Sequence, residues 1–253
     1  MTISIAQFQM FFLALTRVLA ILIHVPVLAG PQVPNQIKVG LGVLLAIVLV
    51  PWKTLPPDAP SMATFVFGFA VGRELLIGTL AGYASVLTFG MLQITGELIG
   101  MGTGFSAGRL FNPVLQSSGS ALDQVFVFAA TLLFFILDGH HSFLLGLHRT
   151  FTLLPLNSPL PVFSLDILLR MAAELIMVGV QLALPILGAL LLIDLALGLL
   201  NRVAPQVHVF FLGVPIKISV GLLALALYFG ALLPGIGNSF HALGFRLVNL
   251  LGG

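Results

Sequence analysis

Residues Leu197–Gly221 read LGLLNRVAPQVHVFFLGVPIKISVG, a polar break set between two very long apolar runs, Met171–Leu200 and Val207–Leu233. The break carries Arg202, Gln206 and two prolines, Pro205 and Pro215, and Asn201–Pro205 reads as a turn. Further apolar runs cover Phe8–Ala29, Ile37–Val50, Met62–Ile94, Ala121–Leu137 and Phe143–Leu154. A helix that spans a bilayer needs about 20 apolar residues. Against that length two of the runs are clearly too long and three too short. As a single helix Met62–Ile94 would extend ~50 Å, at ~1.5 Å per residue, well past a ~30 Å hydrocarbon core. Ile37–Val50 would reach only ~20 Å. Serial crossings of equal length do not fit, and the pattern predicts an all-α fold of long helices that overshoot or undershoot the bilayer.

Composition points the same way. Hydrophobic residues make up 59% of the 253 residues and charged residues only 7%, with a mean hydropathy of +1.17. A soluble domain carries about a quarter charged residues, so the chain belongs in or against a membrane. The net charge of +2 comes from 10 basic and 8 acidic side chains and gives no reason to expect nucleic-acid binding. With no cysteine, disulfides, thiolate metal sites and thiol catalysis are excluded. Phe8–Ala29 is too long for a signal-peptide core and has Arg17 inside it rather than ahead of it, so it is expected to be retained.

Breakers divide the runs. Gly30-Pro31 and Pro34 end the first, residues 51–60 form a proline-rich loop, and Asn157–Pro161 is a further turn. Pro185 lies inside a helical run and should kink it. Glycines at helical spacing, among them Gly68, Gly72, Gly78, Gly82 and Gly90 and then Gly96, Gly100 and Gly102, let apolar helices approach closely. They serve packing inside the chain or against neighbouring subunits.

Charges in so apolar a background are expensive. Arg73 and Glu74 are adjacent, Glu97 opens the next glycine-rich stretch, and Arg170 and Glu174 are spaced for a helical ion pair. Asp194 sits deep in LLLIDLALGLL with Arg202 eight residues later. At ~12 Å along a helix those two do not pair directly, so each is expected to find its partner elsewhere. Such groups act either as an ion relay or as structural pairs within and between subunits. His140, His141 and His148 lack carboxylates at ligand spacing apart from Asp138, and polar anchoring at a helix end suits them better than a metal. No nucleophile elbow, Walker A or dinucleotide motif is present. No enzymatic activity, catalytic residue, metal or cofactor is expected.

Residues Gly102–Gly119, GTGFSAGRLFNPVLQSSG, follow a charged Gly-Glu-Leu-Ile-Gly turn and precede an apolar helix starting near Leu122. They carry Phe105, Leu110 and Phe111 among flexible residues, with Arg109 as the one charge. Irregular backbone at membrane depth survives only when buried in protein or lining a water-filled cavity. The segment is either an exposed surface loop or a constriction inside a pore.

Several stretches, in order, resemble the FliR family of type III secretion export-gate proteins. They are ThrArgValLeuAla at 16–20 followed by Pro26, Pro34 and Lys38; GRELLIGTLAGY at 72–83; and GELIGMGTGFS at 96–106 followed by Pro113. GlyHis at 139–140, ThrLeuLeuPro at 152–155 and above all LALPILGALLLIDLALGLLNRVAPQVHVFFLGVPIKISVG at 182–221 complete the pattern.

The resemblance implies one subunit of a helical, ring-like gate of long bent hairpins, assembled with FliP, FliQ and FlhB homologues near an FlhA-type export protein. Such a gate sits at the inner membrane in the flagellar basal body and passes unfolded flagellar substrates. The resemblance divides the chain into a FliP-like part, 1–165, and a FliQ-like C-terminal hairpin, 166–253. The hairpin is expected to have arms Met171–Leu200 and Val214–Leu233 joined by the Asn201–Gly213 turn. The resemblance puts a channel plug on residues 104–120, with Gly104, Phe105, Ser106, Arg109, Leu110, Phe111, Asn112 and Pro113 lining the channel. Asn112-Pro113 stands where the family often has Asp-Pro, so no loop carboxylate is expected there. Arg73, Glu74, Glu97, Asp194 and Arg202 are expected to serve assembly, and Arg202 agrees with a cytoplasmic turn under the positive-inside rule. The nearest rival is the equivalent subunit of a virulence-type injectisome. A small ion-coupled transporter using Glu97 and Asp194 is more distant, since no two-fold repeat of broken helices is visible.

Overall fold

A computed structural model of the chain describes residues 4–30, 33–49, 61–105, 121–159, 164–206 and 208–251. Among these the regular structure is entirely helical. In chain order the helices are α1 Ile5–Leu22, α2 Pro26–Ala29, α3 Asn35–Leu49, α4 Thr64–Thr103, α5 Ala121–Ile136, α6 Gly139–Leu153, α7 Leu165–Val203, α8 Val209–His241 and α9 Leu243–Asn249. Among the described residues four stretches are long and apolar enough to cross a membrane: Ile5–Leu22, Thr64–Thr103, Leu165–Val203 and Phe211–Asn249. The expected length mismatch is present. Helix α4 has 40 residues, ~60 Å at ~1.5 Å per residue, about twice a ~30 Å hydrocarbon core, while α3 has only 15.

Local chemistry explains most boundaries. Ser4 and Gln7 form a reciprocal capping box that starts α1. The first apolar run does not continue to Ala29 as one helix. It stops at Leu22, because Pro26 holds Val25 in an extended conformation and then serves as the first residue of α2. Asp138, the N-cap of α6, lies in the left-handed region at φ 53°.

The chain divides into two compact units. The first comprises Met1–Leu87, Asp138–Arg170 and His241–Gly253, and the second Thr88–Leu137 and Met171–Phe240. In the first unit α1 lies against α4 at Gly78, where an added Cβ would stand 2.7 Å from the Arg17 carbonyl, and at Gly82 beside Ile21 and His24. Helices α6 and α9 touch through Gly146 and Gly244 so closely that a Cβ on Gly146 would lie 2.6 Å from the Gly244 Cα. In the second unit Phe89, Phe134 and Phe240 form a mutual cluster with centroids 5.2–5.5 Å apart. A neighbouring core joins Ile99, Leu122, Phe126, Ala183, Ile186 and Leu190.

Helices α7 and α8 run antiparallel as a hairpin. Leu197 meets Gly213, Asp194 pairs with Lys217, Leu190 meets Gly221 and Leu182 meets Gly235, so one residue number falls as the other rises. The turn is tighter than the expected Asn201–Gly213. Helix α7 persists to Val203 and α8 begins at Val209, so Asn201 and Arg202 are helical and both Pro215 and Pro234 lie inside α8. The second arm likewise runs past Leu233 to His241.

Two further expectations are corrected. Gly96–Gly100 is not a turn but part of α4, which ends at Thr103. Packing overrides glycine's weak helix propensity there, since a Cβ on Gly96 would press against the Phe126 ring at 2.8–2.9 Å. Arg170 pairs one turn back with Asp166 at 2.8 Å, not forward with Glu174. The proline-rich loop at 51–60 lies outside the described residues.

Candidate functional site

The first polar centre lies inside the first unit. Arg17, on an apolar helix, has no exposed surface. Its Nε donates to Glu74 Oε2 at 2.6 Å, and its Nη1 donates to the carbonyls of Thr150 and Leu154 at 2.9 and 2.6 Å. Its Cζ sits 4.7 Å from the Phe151 ring centroid. Those carbonyls end α6, where the Thr150 carbonyl also accepts from the Leu154 N–H at 3.1 Å, and a cation is favoured at that end of the dipole. Arg17 therefore ties α1, α4 and the end of α6 together. Glu74 is also approached by Arg73 Nη2 at 3.6 Å, and the same Nη2 donates to Asn157 Oδ1 at 3.2 Å.

The second centre lies near the tip of the hairpin. Asp194 of α7 forms an ion pair with Lys217 of α8, both side chains partly exposed. The pair borders a cleft of ≈ 600 Å³ with Asn201, Pro205, His208 and Phe211 along it. Asp194 thus has its partner across the hairpin and Arg202 is not that partner. Arg202 is exposed at the end of α7, and Glu97 is half-buried on α4. Around this tip Leu191, Leu192, Leu195, Leu199, Val203, Phe211 and Leu212 are all exposed. So many exposed large apolar side chains on one hairpin end need lipid or protein around them.

The central segment supplies the third element. Gly104 leaves α4 in the left-handed region at φ 86°, which glycine adopts without strain. Phe105 packs against the Ile99–Phe126–Ile186 core. Ser106, Arg109, Leu110, Phe111, Asn112 and Pro113 lie outside the described residues. His140 Nε2 stands 4.0 Å from Asp138 Oδ1 in the first turn of α6, the helix-end position expected for it.

Sequence reasoning missed the Arg17–Glu74 and Asp194–Lys217 pairs. A signal existed for the first. Neighbours at i,i+1 on a helix do not face each other, so Glu74 needed a cation other than Arg73, and Arg17 was the cation inside the first apolar run. Lys217, in Val-Pro-Ile-Lys, was overlooked as the cation nearest in sequence to follow the turn.

The profile of the family described as bacterial export proteins, family 1, matches residues 8–243. The chain belongs to this family. Its similarity to the flagellar biosynthetic protein FliR of Escherichia coli (strain K12) is 33% identity over 245 residues, covering 96% of this chain and 91% of that protein. The FliR of Bacillus subtilis (strain 168) is 25% identical over 249 residues, 96% and 95% of the two chains. The Yop proteins translocation protein T of Yersinia pestis is 26% identical over 220 residues, 85% and 84%. With its long apolar helices, this member of the export family is a multi-pass inner-membrane protein of the flagellar apparatus.

Proposed function

We propose that the chain is a core subunit of the flagellar protein-export gate, forming with FliP- and FliQ-type subunits the channel that passes unfolded flagellar subunits across the inner membrane. The observation that carries this reading is end-to-end similarity to flagellar FliR proteins, 96% of the chain in the Escherichia coli comparison. It is supported by helices too long for simple crossings and by the large apolar side chains left exposed around the α7–α8 tip. FlhB- and FlhA-type proteins are the expected neighbours, and the chain acts without enzymatic chemistry. In this reading residues 1–165 form the FliP-like part and 166–253 the FliQ-like hairpin.

Residues 104–120 are the channel plug, with Gly104, Phe105, Ser106, Arg109, Leu110, Phe111, Asn112 and Pro113 facing the passage. Bulky apolar residues on a glycine-rich backbone fill a lumen when idle and yield to an incoming chain. An apolar constriction also blocks ions by dewetting. The match to the Yersinia pestis translocation protein favours a second reading, an injectisome gate, but at lower identity and coverage than the Escherichia coli flagellar match.

The test is ionic conductance of membranes carrying gates with residues 106–118 removed. Assembled gates should leak small ions. Membranes as tight as wild type would show that the segment is not the seal.

A further inference from the structure

One face of the first part of α4 forms an open groove of ≈ 510 Å³ lined by Phe65, Gly68, Phe69, Gly72, Arg73 and Leu76. The two glycines form its floor, since a Cβ on either would meet no atom within 4 Å. Phe65 and Phe69 stand beside it, 87% and 82% exposed. The groove is apolar between its two ends, where Arg73 enters at one and the Thr64 hydroxyl group at the other.

Arg73 is short of anionic partners. Among the described residues its cluster holds two guanidiniums, Arg17 and Arg73, around the single carboxylate of Glu74. Glu74 is committed to Arg17 at 2.6 Å, with Arg73 more distant at 3.6 Å. The Arg73 Nε is buried without a hydrogen-bond partner. An uncompensated cation beside an apolar groove calls for a ligand that is anionic at one end and aliphatic along its length.

We propose that this groove binds one anionic phospholipid, its phosphate on Arg73 and one acyl chain laid over Gly72 and Gly68 between Phe69 and Phe65. The dimensions agree. From Arg73 back to Thr64 the helix rises ~14 Å at ~1.5 Å per residue, close to one leaflet, half of a ~30 Å hydrocarbon core. A partner helix crossing at Gly68 and Gly72 is the competing occupant, but an apolar helix would leave the Arg73 charge unanswered.

The chain has no cysteine, so Val66→Cys, at an exposed position next to the groove that does not line it, gives a single labelling site in the full-length protein. The labelled protein, isolated with the subunits that co-purify with it, is placed in phosphatidylcholine nanodiscs containing a small fraction of doxyl-labelled phosphatidylglycerol or doxyl-labelled phosphatidylcholine. The fluorophore should be quenched about five-fold more effectively by the anionic lipid, the discrimination one cation gives near an anionic headgroup. Arg73→Gln should abolish that preference while leaving quenching by phosphatidylcholine in place. Unfolding of Arg73→Gln is checked by its helical circular dichroism, and Arg73→Lys, which keeps the charge, should retain the preference. Equal quenching by both lipids in the arginine protein overturns the proposal. Absence of quenching by either lipid also overturns it and gives the groove to a protein helix.

Discussion

Arg17 and Glu74, 57 residues apart in the chain, meet at 2.6 Å with neither side chain exposed. Removing one partner of a buried pair costs ~3–5 kcal/mol, whereas replacing both with apolar groups of similar volume is often neutral. Arg17 has a second duty, because it also satisfies the Thr150 and Leu154 carbonyls. Arg17→Met and Glu74→Leu should each sharply raise protease sensitivity and lower accumulation in the membrane. The Arg17→Met/Glu74→Leu double variant should recover part of the loss but not all, since the Thr150 and Leu154 carbonyls lose the guanidinium that joins them to α1. Limited proteolysis of the three variants checks this, and a double variant as damaged as the sum of the singles would show that the pair is not coupled.

Glycines sort into two groups by what surrounds them. A Cβ on Gly146 or Gly244 would meet backbone atoms that cannot swing aside, and overpacking of this kind costs ~1–3 kcal/mol. Gly146→Ala and Gly244→Ala should therefore loosen α9 from α6, read as faster hydrogen exchange of Leu243–Asn249. Gly90, with open space around it, should behave oppositely. Gly90→Ala removes unfolded-state freedom worth ~0.5–1 kcal/mol in a helix, so the thermal stability of the chain within its co-purified complex should rise slightly.

This contrast also marks what the sequence makes legible. Run lengths suffice for the all-helical class and the long-and-short mismatch, whereas the break after α1 is passed over in reading Phe8–Ala29 as one run, although Pro26 marks it locally. The continuation of α4 through Gly96 and Gly100 does not follow locally, since Gly96 is held helical by contact with Phe126. Likewise Val209–Gly213 reads as part of the turn, yet α8 begins at Val209 because hairpin packing, with Leu197 3.1 Å from a Cβ on Gly213, rewards the extra turn. Charged positions were visible but their pairings were not. Arg17–Glu74 and Asp194–Lys217 are tertiary contacts between separate helices, and spacing along one helix carries no information about them.

The Asp194–Lys217 pair distinguishes a structural role from ion coupling. Asp194→Leu should reduce the yield of assembled complex, because Lys217 is left unpaired at an apolar hairpin tip. The exchange variant Asp194→Lys/Lys217→Asp should restore yield if the pair acts as a brace across the arms. Quantitative immunoblotting of the complex on native gels measures this. Normal assembly together with loss of proton-driven export in both variants would instead make the pair a relay.

The most direct measurement is the native mass of whatever co-purifies with this chain when it is produced together with FliP- and FliQ-type proteins from its own genome. The account predicts a stable complex containing a single copy of the chain with several copies of each partner, and poor recovery of the chain alone, because its open glycine-lined and apolar faces require other helices. A monodisperse chain in detergent that binds neither partner would contradict it.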